Sequence, residues 1–573
     1  MDYTKEKITK KPRRFFPEDL DITCWENLER EMEKLLAVKI NSATALISFL
    51  EKVCEISDIV AEEMAWRYIN MTRFADVEEN SRKFNDFYAN IVSRTKPYSF
   101  KFNKKFYDSP FRKELPDSEY SHLNRIISNE IELFREENIP LQIKEKELAN
   151  KYGAAFSKLT VTYRGEEKTL SQLAPFLQET DRRTREEVWF LRMNKMMEMR
   201  AEFNELFDAM KVLRIKQALN AGFANYRDFM HKSKGRFSYT PDDLIKFHTA
   251  VEKEVVPFLK EHTDERRRKL KLESVRPWDT TVDLDGIVLK PFQKIDEFVD
   301  KALFILSEVK PEFGIRLNKM KNSAFLDLDN RKGKAPGGYN YPLQETGAPF
   351  IFMNAVGIHR NVVTLLHESG HAMHTFATRD IHIAPYKETP SEVAELASMT
   401  MEFLTMDKWN IFYDKPEHFR KAKRDQLLGA LEFLPWAMII DAFQHWIYTC
   451  PDHTPAARED FFASLMDRFS TGVDWSGLEE YKKMFWLFQL HVFEVPFYYI
   501  EYAIAQLGAL AVYRNYRTRS REKTLADYEK FLSLGYTRSV DQLYKAAGIK
   551  FDFSAVYVGE LVGFIRTELE KIR

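Results

Sequence analysis

Apolar residues recur at helical spacing through most of this chain, and short polar breaks end one such run before the next begins. The breaks include 232–243, 276–286 and 448–455, which carry proline, glycine or clusters of aspartate and threonine. Side chains that repeat every three to four residues fit one face of a helix, whereas a strand requires strict alternation. We therefore predict a mainly α-helical protein.

Strand-like sequence is confined to two places. Residues 157–170 carry β-branched and aromatic residues on both sides of Arg164-Gly165 and predict a hairpin. Residues 323–357 predict a small sheet, whose last strand is PFIFMN at 349–354. This strand stands just before the helix that carries the HESGH motif described below.

The length of 573 residues exceeds the roughly 100–200 residues of one ordinary domain, so at least two units or one composite fold are expected. A long helix-like run begins with REEVWF at residue 185. We place a boundary near residues 185–200 and divide the chain into an N-terminal helical region with a β-hairpin, 1–190, and a second domain, 191–573.

Charge and cysteine content limit the partners and the compartment. The 86 basic and 87 acidic residues nearly cancel, so we expect no nucleic-acid partner and no anionic membrane partner. The three scattered cysteines, Cys24, Cys54 and Cys450, argue against a disulfide framework. Residues 1–22 lack the apolar core of a secretory signal. We expect a cytoplasmic protein.

The longest apolar stretch, 427–443, contains Glu432, Pro435 and Asp441. A membrane span needs about 20 apolar residues, and each of these three would be costly inside it. We interpret the stretch as a buried helix.

HESGH, residues 367–371, lies within an apolar run with helical spacing. Two histidines at i and i+4 lie about 40° apart around a helix, so His367 and His371 can reach one ion. Glu368 projects beside them and could take a proton from water bound to that ion, as in the H-E-x-x-H pattern of zinc peptidases. The alternative is a helix whose histidines are only hydrogen-bonded.

A zinc site needs a third protein ligand, and the segment 388–403 offers one. Residues 389–392 predict a helix start with a capping box. Glu395 and Glu402 then lie two turns apart on one face, where buried acids require a cation. We predict Glu395 as the third ligand and Glu402 as an acceptor that orients a ligand histidine. Glu388 is the alternative ligand, and an exposed position is the alternative for Glu402.

Two further residues of the motif helix call for an interpretation. His374 shares a side with His371, but three ligands already leave the open position that catalysis needs, so we expect it behind the ligands or in the core. A metzincin would have a histidine at Ala377, which excludes that class. Gly370 costs about 1 kcal/mol in a helix relative to alanine, which indicates a close approach by another helix.

HESGHAMH followed by ELASMTME resembles the oligoendopeptidase F branch of the thimet oligopeptidase family of zinc peptidases. The stretches 333–341, 349–374 and 491–510 resemble that family's catalytic region in the same order. The resemblance implies one Zn²⁺ per chain, held by His367, His371 and Glu395. It also implies that Glu368 is the general base.

The resemblance further implies that His491, Tyr499 and Tyr502 stabilise the tetrahedral intermediate. Tyr498 and Tyr502 would also share a helix face, so the choice between Tyr498 and Tyr499 stays open. The alternative is that these aromatic residues only pack a core. The stretch after His491, VFEVP, lacks the glycines of the thimet branch, so a mobile tyrosine loop is not expected.

The fold that the resemblance implies is a large multi-helical ellipsoid with a deep substrate channel, a small sheet beside the active-site helix and zinc on the channel floor. The strand 349–354 could then be the channel's edge strand and bind substrate backbone by strand addition. Gly337 and Gly338, next to Tyr339, suit a loop that approaches the peptide closely. Residues 191–573 would be the zinc peptidase catalytic domain.

These features predict a cytosolic zinc endopeptidase that acts on oligopeptides. One alternative is an exopeptidase of the dipeptidyl carboxypeptidase type, which would need a cationic clamp for the free terminus of its substrate. The other is a non-catalytic peptide-binding scaffold that contains zinc. The sequence leaves the oligomeric state open.

Overall fold

The computed structural model describes residues 5–572. Helices account for 69% of the chain and strands for 4%, so the predicted mainly α-helical class is confirmed. The α-helices are α1 Trp25–Ala37, α2 Ala43–Arg73, α3 Glu78–Phe87, α4 Ser93–Tyr107, α5 Asp117–Leu133, α6 Asn138–Ser157, α7 Arg182–Glu198, α8 Arg200–Asn220, α9 Tyr226–Ser233, α10 Pro241–Lys269, α11 Ile295–Val309, α12 Pro311–Asn322, α13 His359–Thr378, α14 Ser391–Thr405, α15 Pro416–Thr449, α16 Pro455–Arg468, α17 Glu479–Met484, α18 Leu490–Glu494, α19 Tyr499–Thr518, α20 Arg521–Leu534, α21 Val540–Ala546 and α22 Ala555–Glu570. The strands are β1 Thr160–Tyr163, β2 Glu166–Thr169, β3 Leu326–Asp329, β4 Tyr339–Leu343 and β5 Ala348–Ala355.

The chain forms two compact units, and each is assembled from three segments. The first unit comprises residues up to 132, 289–423 and 508–551. The second comprises 133–288, 424–507 and the residues from 552 onward. The predicted division at residue 190 would give two continuous domains, whereas each compact unit combines three separate segments. The division at residue 190 stays a prediction.

In the first unit, α13 packs against α14, α20 and β5. At Gly370 the two motif helices touch, since a Cβ there would lie 2.5 Å from Ser398 Cα. The close approach of a second helix, expected from the glycine, is therefore observed. Helix α14 begins at Ser391, within the predicted segment 389–392, but Pro390 is its N-cap residue and makes no side-chain cap hydrogen bond. The capping box predicted at 389–392 is absent.

A three-stranded sheet lies beside α13, in the strand order β3-β5-β4. Strand β5 runs parallel to β3 and antiparallel to β4. It is therefore paired on both sides, and the prediction that 349–354 is an edge strand is wrong. A central strand has its backbone groups already engaged, so strand addition could only use β3 or β4.

The second unit contains the predicted hairpin. Strands β1 and β2 pair antiparallel from Thr160 opposite Thr169 to Tyr163 opposite Glu166. The two residues between them, Arg164 and Gly165, have φ values of 54° and 80°. Positive φ at both turn positions is what a two-residue type I′ hairpin requires.

Helix α15 contains the apolar stretch that the sequence analysis assigns to a buried helix. Among the described helices, it alone has the length and composition to cross a membrane. Within its most apolar window, 67% of the residues are buried inside the protein.

Candidate functional site

Three side chains that can bind a metal converge where α13 meets α14. Within residues 5–572, His367, His371 and Glu395 form the group whose ligand atoms all lie within 4.8 Å of one another. Glu395 Oε2 lies 3.3 Å from His367 Nε2 and 3.8 Å from His371 Nε2. Ligands about 2.0–2.1 Å from a tetrahedral ion lie roughly 3.3 Å apart, so the donor set fits zinc with little adjustment.

Glu402 orients His367 from behind. Its Oε1 lies 2.6 Å from His367 Nδ1, so the other ring nitrogen, Nε2, faces Glu395. Burial acts to lower the pKa of His367, but the hydrogen bonds and charges of Glu395 and Glu402 raise it well above its usual value. Two buried carboxylates thus demand a positive charge at this point. A proton on His367 or a divalent cation among the three ligands meets that demand.

His371 and Glu395 have the protonation states that metal binding needs. Burial lowers the pKa of His371 to about 4, which keeps its imidazole neutral. Burial acts to raise the pKa of Glu395, but the hydrogen bond with His367 and the nearby histidines lower it below its usual value. The carboxyl group is therefore ionised.

Glu368 lies on α13 beside the ligands and is 7% exposed. Burial is the main cause that raises its pKa to about 7, and the charges of Glu395 and Glu402 add to the effect while His367 opposes it. A general base works best when its pKa is near the operating pH. The carbonyl oxygen of Glu368 accepts a hydrogen bond of 3.1 Å from Asn340 Nδ2, which ties α13 to β4.

The other two candidates in this part of the chain, Glu388 and His374, do not belong to the group. Glu388 is an exposed residue that precedes α14 and does not belong to the three-ligand group. His374 is 6% exposed, and its ring packs 5.8 Å from that of Phe531. Burial lowers the pKa of His374 to about 3, so it is a neutral core histidine.

The predicted substrate-binding residues lie at the start of β4. Gly337 and Gly338 are exposed, and Gly337 has a φ of 100°, which favours glycine. A Cβ on Gly338 would lie 3.3 Å from Phe352 O. Tyr339 stacks on Phe352, and its hydroxyl lies 2.6 Å from Thr72 Oγ1. The side chain of Tyr339 is thus engaged in packing, and its backbone belongs to an edge strand.

The loop before β4 is held by residues that the sequence analysis missed. The side chain of Lys334 is fully buried. Its ammonium group donates to Asp327 Oδ1 at 2.8 Å and to Asp329 O at 2.7 Å. Asn354 Nδ2 donates to Gly337 O at 2.9 Å. The sequence signal for this interaction is the lysine within the motif GKAPGGYNY, residues 333–341.

The remaining candidates form an aromatic cluster in the second unit. His491 lies on α18, Tyr498 precedes α19, and Tyr499 and Tyr502 lie on it. Ring centroids are 4.9 Å apart for His491 and Tyr499, 5.1 Å for Tyr498 and Tyr502, and 5.9 Å for Tyr499 and Tyr502. Burial lowers the pKa of His491 to about 4, so its imidazole is neutral.

Two residues outside the predicted set contact this cluster. Gln489 Nε2 lies 2.6 Å from His491 Nδ1, and Trp436 Nε1 lies 2.8 Å from Gln489 Oε1. Burial raises the pKa of Tyr499 to about 12, and a hydrogen bond with the Trp436 side chain partly offsets this rise. No local motif marks Trp436, because it lies on α15, far from His491 in the sequence.

Comparisons with known proteins agree with this geometry. The model of peptidase family M3 matches residues 176–561. Oligopeptidase PepF of Bacillus subtilis (strain 168) is 30% identical over 165 residues, which are 28% of this chain and 23% of the relative. The chromosomal oligoendopeptidase F of Lactococcus lactis subsp. cremoris is 27% identical over 147 residues, 26% of this chain and 24% of the relative. The matched regions thus span about a quarter of each relative's length.

Similarity to solved structures covers far more of the chain. PZ peptidase A, solved with an inhibitor, is 25% identical and has a TM-score of 0.88. The match covers 97% of this chain and 99% of that one. Together with the family model, which matches more than half of the sequence, this similarity decides the classification. The chain belongs to peptidase family M3, in its oligoendopeptidase F branch.

Proposed function

We propose that the protein is a cytosolic, zinc-dependent endopeptidase that hydrolyses internal bonds of short oligopeptides. The observation that carries the proposal is the convergence of His367, His371 and Glu395, with Glu368 beside them, in a member of peptidase family M3. The three cysteines, Cys24, Cys54 and Cys450, are all unpaired thiols, which supports a reducing compartment.

His367, His371 and Glu395 would hold one zinc ion, which when bound supplies Lewis acidity toward the scissile carbonyl and the attacking water. Glu368 would accept the proton of that water and later deliver it to the leaving amine. A pKa of about 7 suits both steps, because the carboxylate and the carboxylic acid are then both accessible near neutral pH.

We further propose, from the resemblance to the family, that His491, Tyr499 and Tyr502 donate hydrogen bonds to the oxyanion, with Tyr498 as the alternative to Tyr499. A donor aimed at a developing oxyanion contributes about 3 kcal/mol when water is excluded. The neutral imidazole of His491 and phenols with raised pKa, such as Tyr499, are suitable donors because they keep their protons.

The substrate backbone would pair with β4 rather than with β5. Strand β4 is at the edge of its sheet, and it follows directly on the exposed Gly337 and Gly338. Main-chain pairing of this kind binds extended peptides with little regard to side chains. It is therefore compatible with an enzyme that accepts many short peptides.

The replacement Glu368→Gln tests the proposed chemistry. The amide keeps the shape of the side chain but cannot accept the proton, so we expect turnover to fall at least about 100-fold. Zinc content, measured by mass spectrometry of the purified protein, should stay at one per chain. Unchanged turnover in this variant would remove Glu368 from the role of base.

Internally quenched peptides that are blocked at both ends separate the alternatives. Cleavage of such peptides, lost on chelation and restored by zinc, indicates an endopeptidase. Cleavage that requires a free C-terminus would indicate an exopeptidase of the dipeptidyl carboxypeptidase type. Binding of peptides with no cleavage in either series would indicate a scaffold.

A further inference from the structure

We propose that Gln489 and Trp436 are positioning residues that fix the tautomer of His491, so that its Nε2 carries the proton and its Nδ1 does not. The inference rests on the proposed function in one respect, namely that His491 donates a hydrogen bond to the oxyanion. The tautomer itself follows from the contacts of the side chains alone.

The orientation of the Gln489 amide is decided by Trp436. The indole Nε1 lies 2.8 Å from Gln489 Oε1. An indole N–H can donate but cannot accept, so the group of Gln489 that faces it must be the carbonyl oxygen. The opposite orientation would place the amide NH₂ against the indole N–H, two donors at hydrogen-bonding distance. The NH₂ group of Gln489 therefore points away from Trp436.

The oriented amide in turn decides the state of His491. Gln489 Nε2 lies 2.6 Å from His491 Nδ1. An amide NH₂ can only donate, so Nδ1 must accept and carries no proton. Because burial lowers the pKa of His491 to about 4, the ring holds a single proton near neutral pH, and that proton is on Nε2.

Both positioning side chains are attached to ordered backbone. Trp436 lies on α15, where its ring contacts those of Phe462 and Phe485 at centroid distances of 6.1 and 5.6 Å. Gln489 is the N-cap residue of α18, and His491 is the second residue of that helix. The distance between Gln489 and His491 is thus set by one short turn, and little side-chain freedom is left to lose when the bond forms.

The same indole also contacts a proposed oxyanion tyrosine. The Trp436 side chain forms a hydrogen bond that acts to lower the pKa of Tyr499. The indole has one N–H, so the bond to Gln489 Oε1 and the contact with the Tyr499 phenol oxygen share the same hydrogen.

Nitrogen-15 spectra of histidine-labelled protein test the tautomer directly. The signals of His491 are identified by their loss in His491→Gln. In the wild type at pH 8 we expect a protonated Nε2 and an unprotonated Nδ1. In Gln489→Glu the carboxylate requires a donor, so the proton should move to Nδ1. A wild-type protein with the proton on Nδ1 would overturn the proposal.

Two more variants guard against a folding defect in Gln489→Glu. Trp436→Phe removes the indole N–H, so the amide can rotate and both tautomers should appear. Gln142→Glu places the same charge change on the exposed surface of α6 in the same unit and should leave the His491 spectrum unchanged. A wild-type spectrum in Trp436→Phe would show that the indole does not set the tautomer.

Kinetics then connect the tautomer to catalysis. For Gln489→Met we expect kcat to fall about 10- to 100-fold with little change in KM, as for other residues that orient a catalytic group. Adding Gln489→Met to a His491→Ala background should cause no further loss, because the two residues act as one unit. An equal loss in both backgrounds would refute action through His491. If the wild type cleaves no peptide, the proposed function fails, while the spectra still decide the tautomer.

Discussion

At the scale of single residues, the charge state of the site is decided by burial and by neighbouring carboxylates. Glu368 has a pKa raised to about 7 chiefly because it is buried, whereas Glu395, also buried, stays ionised because His367 bonds it. Two glutamates of similar exposure thus suit different proposed roles. The lowered pKa of Glu395 suits a metal ligand, and the raised pKa of Glu368 suits a general base.

Removal of the charge that orients His367 should weaken metal binding. In Glu402→Gln the hydrogen bond to Nδ1 can persist, but the negative charge that raises the basicity of the imidazole is lost. We expect zinc affinity to fall about 10- to 100-fold. Competition with a chelator of known affinity measures the change.

Glu388→Gln is the matched control for this experiment, because it makes the same change of side chain at a residue that lies three positions before the start of α14. Its zinc affinity should equal that of the wild type, whereas Glu395→Gln should lose the metal. The reverse result would make Glu388 the third ligand.

The metal group could be inferred from the sequence because helical spacing alone puts His367 beside His371, and Glu395 on one face with Glu402. The pair Trp436 and Gln489 could not be inferred in this way. These residues are 53 positions apart, and their contact depends on how α15 packs against the segment before α18. Tertiary packing of this kind leaves no periodic signal in the sequence.

At the scale of elements, the contact between α13 and α14 decides the candidate site, because each helix supplies part of the proposed ligand set. Their close approach requires Gly370, where a Cβ would lie 2.5 Å from Ser398 Cα and 2.7 Å from Ala397 O. The sheet behaves differently. The sequence shows that β5 is hydrophobic. It does not show that β5 is the central strand, because strand order depends on how distant segments pair.

The replacement Gly370→Ala should separate these helices. Overpacking of this kind costs about 1–3 kcal/mol, so we expect a lower melting temperature and weaker zinc binding in the variant. Differential scanning calorimetry and metal analysis measure the two effects.

Gly429→Ala on α15 is the control, because a Cβ there meets no atom within 4 Å. It should be neutral or stabilise the protein by up to about 1 kcal/mol through helix propensity. Equal effects of the two substitutions would contradict the role of Gly370 in helix contact.

The segment between α18 and α19 should be rigid. Phe497 has a φ of 60°, a conformation that costs a side chain about 1–2 kcal/mol. Its N–H donates to the buried Gln444 Oε1 at 2.8 Å, and its carbonyl accepts from Arg236, which also pairs with Glu501. These contacts hold the backbone that leads into Tyr498 and α19.

Hydrogen exchange followed by mass spectrometry tests this rigidity. Peptides that cover 495–498 should exchange slowly in the wild type and faster in Gln444→Met, while peptides from α10 stay unchanged. Fast exchange in the wild type would instead indicate a mobile tyrosine loop.

At the scale of the whole molecule, each compact unit draws on segments from distant parts of the sequence. In the first unit, Ala65 and Ile69 of α2 pack against Leu343, Phe350 and Phe352 of the sheet. The sheet that lies beside the proposed metal ligands therefore depends on a helix near the N-terminus. Composition and periodicity indicated the helices, but they could not indicate that each unit combines segments from distant parts of the sequence.

A fragment of residues 191–573 should fail to fold on its own, because it lacks α2 and exposes the apolar side of the sheet. We expect circular dichroism to show a cooperative thermal transition for the full chain and none for the fragment. Supplying 1–190 as a separate chain should restore it in part. A stable, zinc-binding fragment would support the division at residue 190 as a true folding boundary.

Strand β4 has a further property that follows from its pairing. Pro342 lies opposite Pro349 on β5, and neither residue has an N–H. Pro342 and Asn340 therefore turn their backbone groups outward, while Tyr339 and Tyr341 bond to β5. A peptide that pairs with β4 as proposed would meet both a donor and an acceptor at Asn340 but only an acceptor at Pro342. Such pairing would be short, and its register would be set at Asn340, whose side chain donates to the carbonyl oxygen of Glu368.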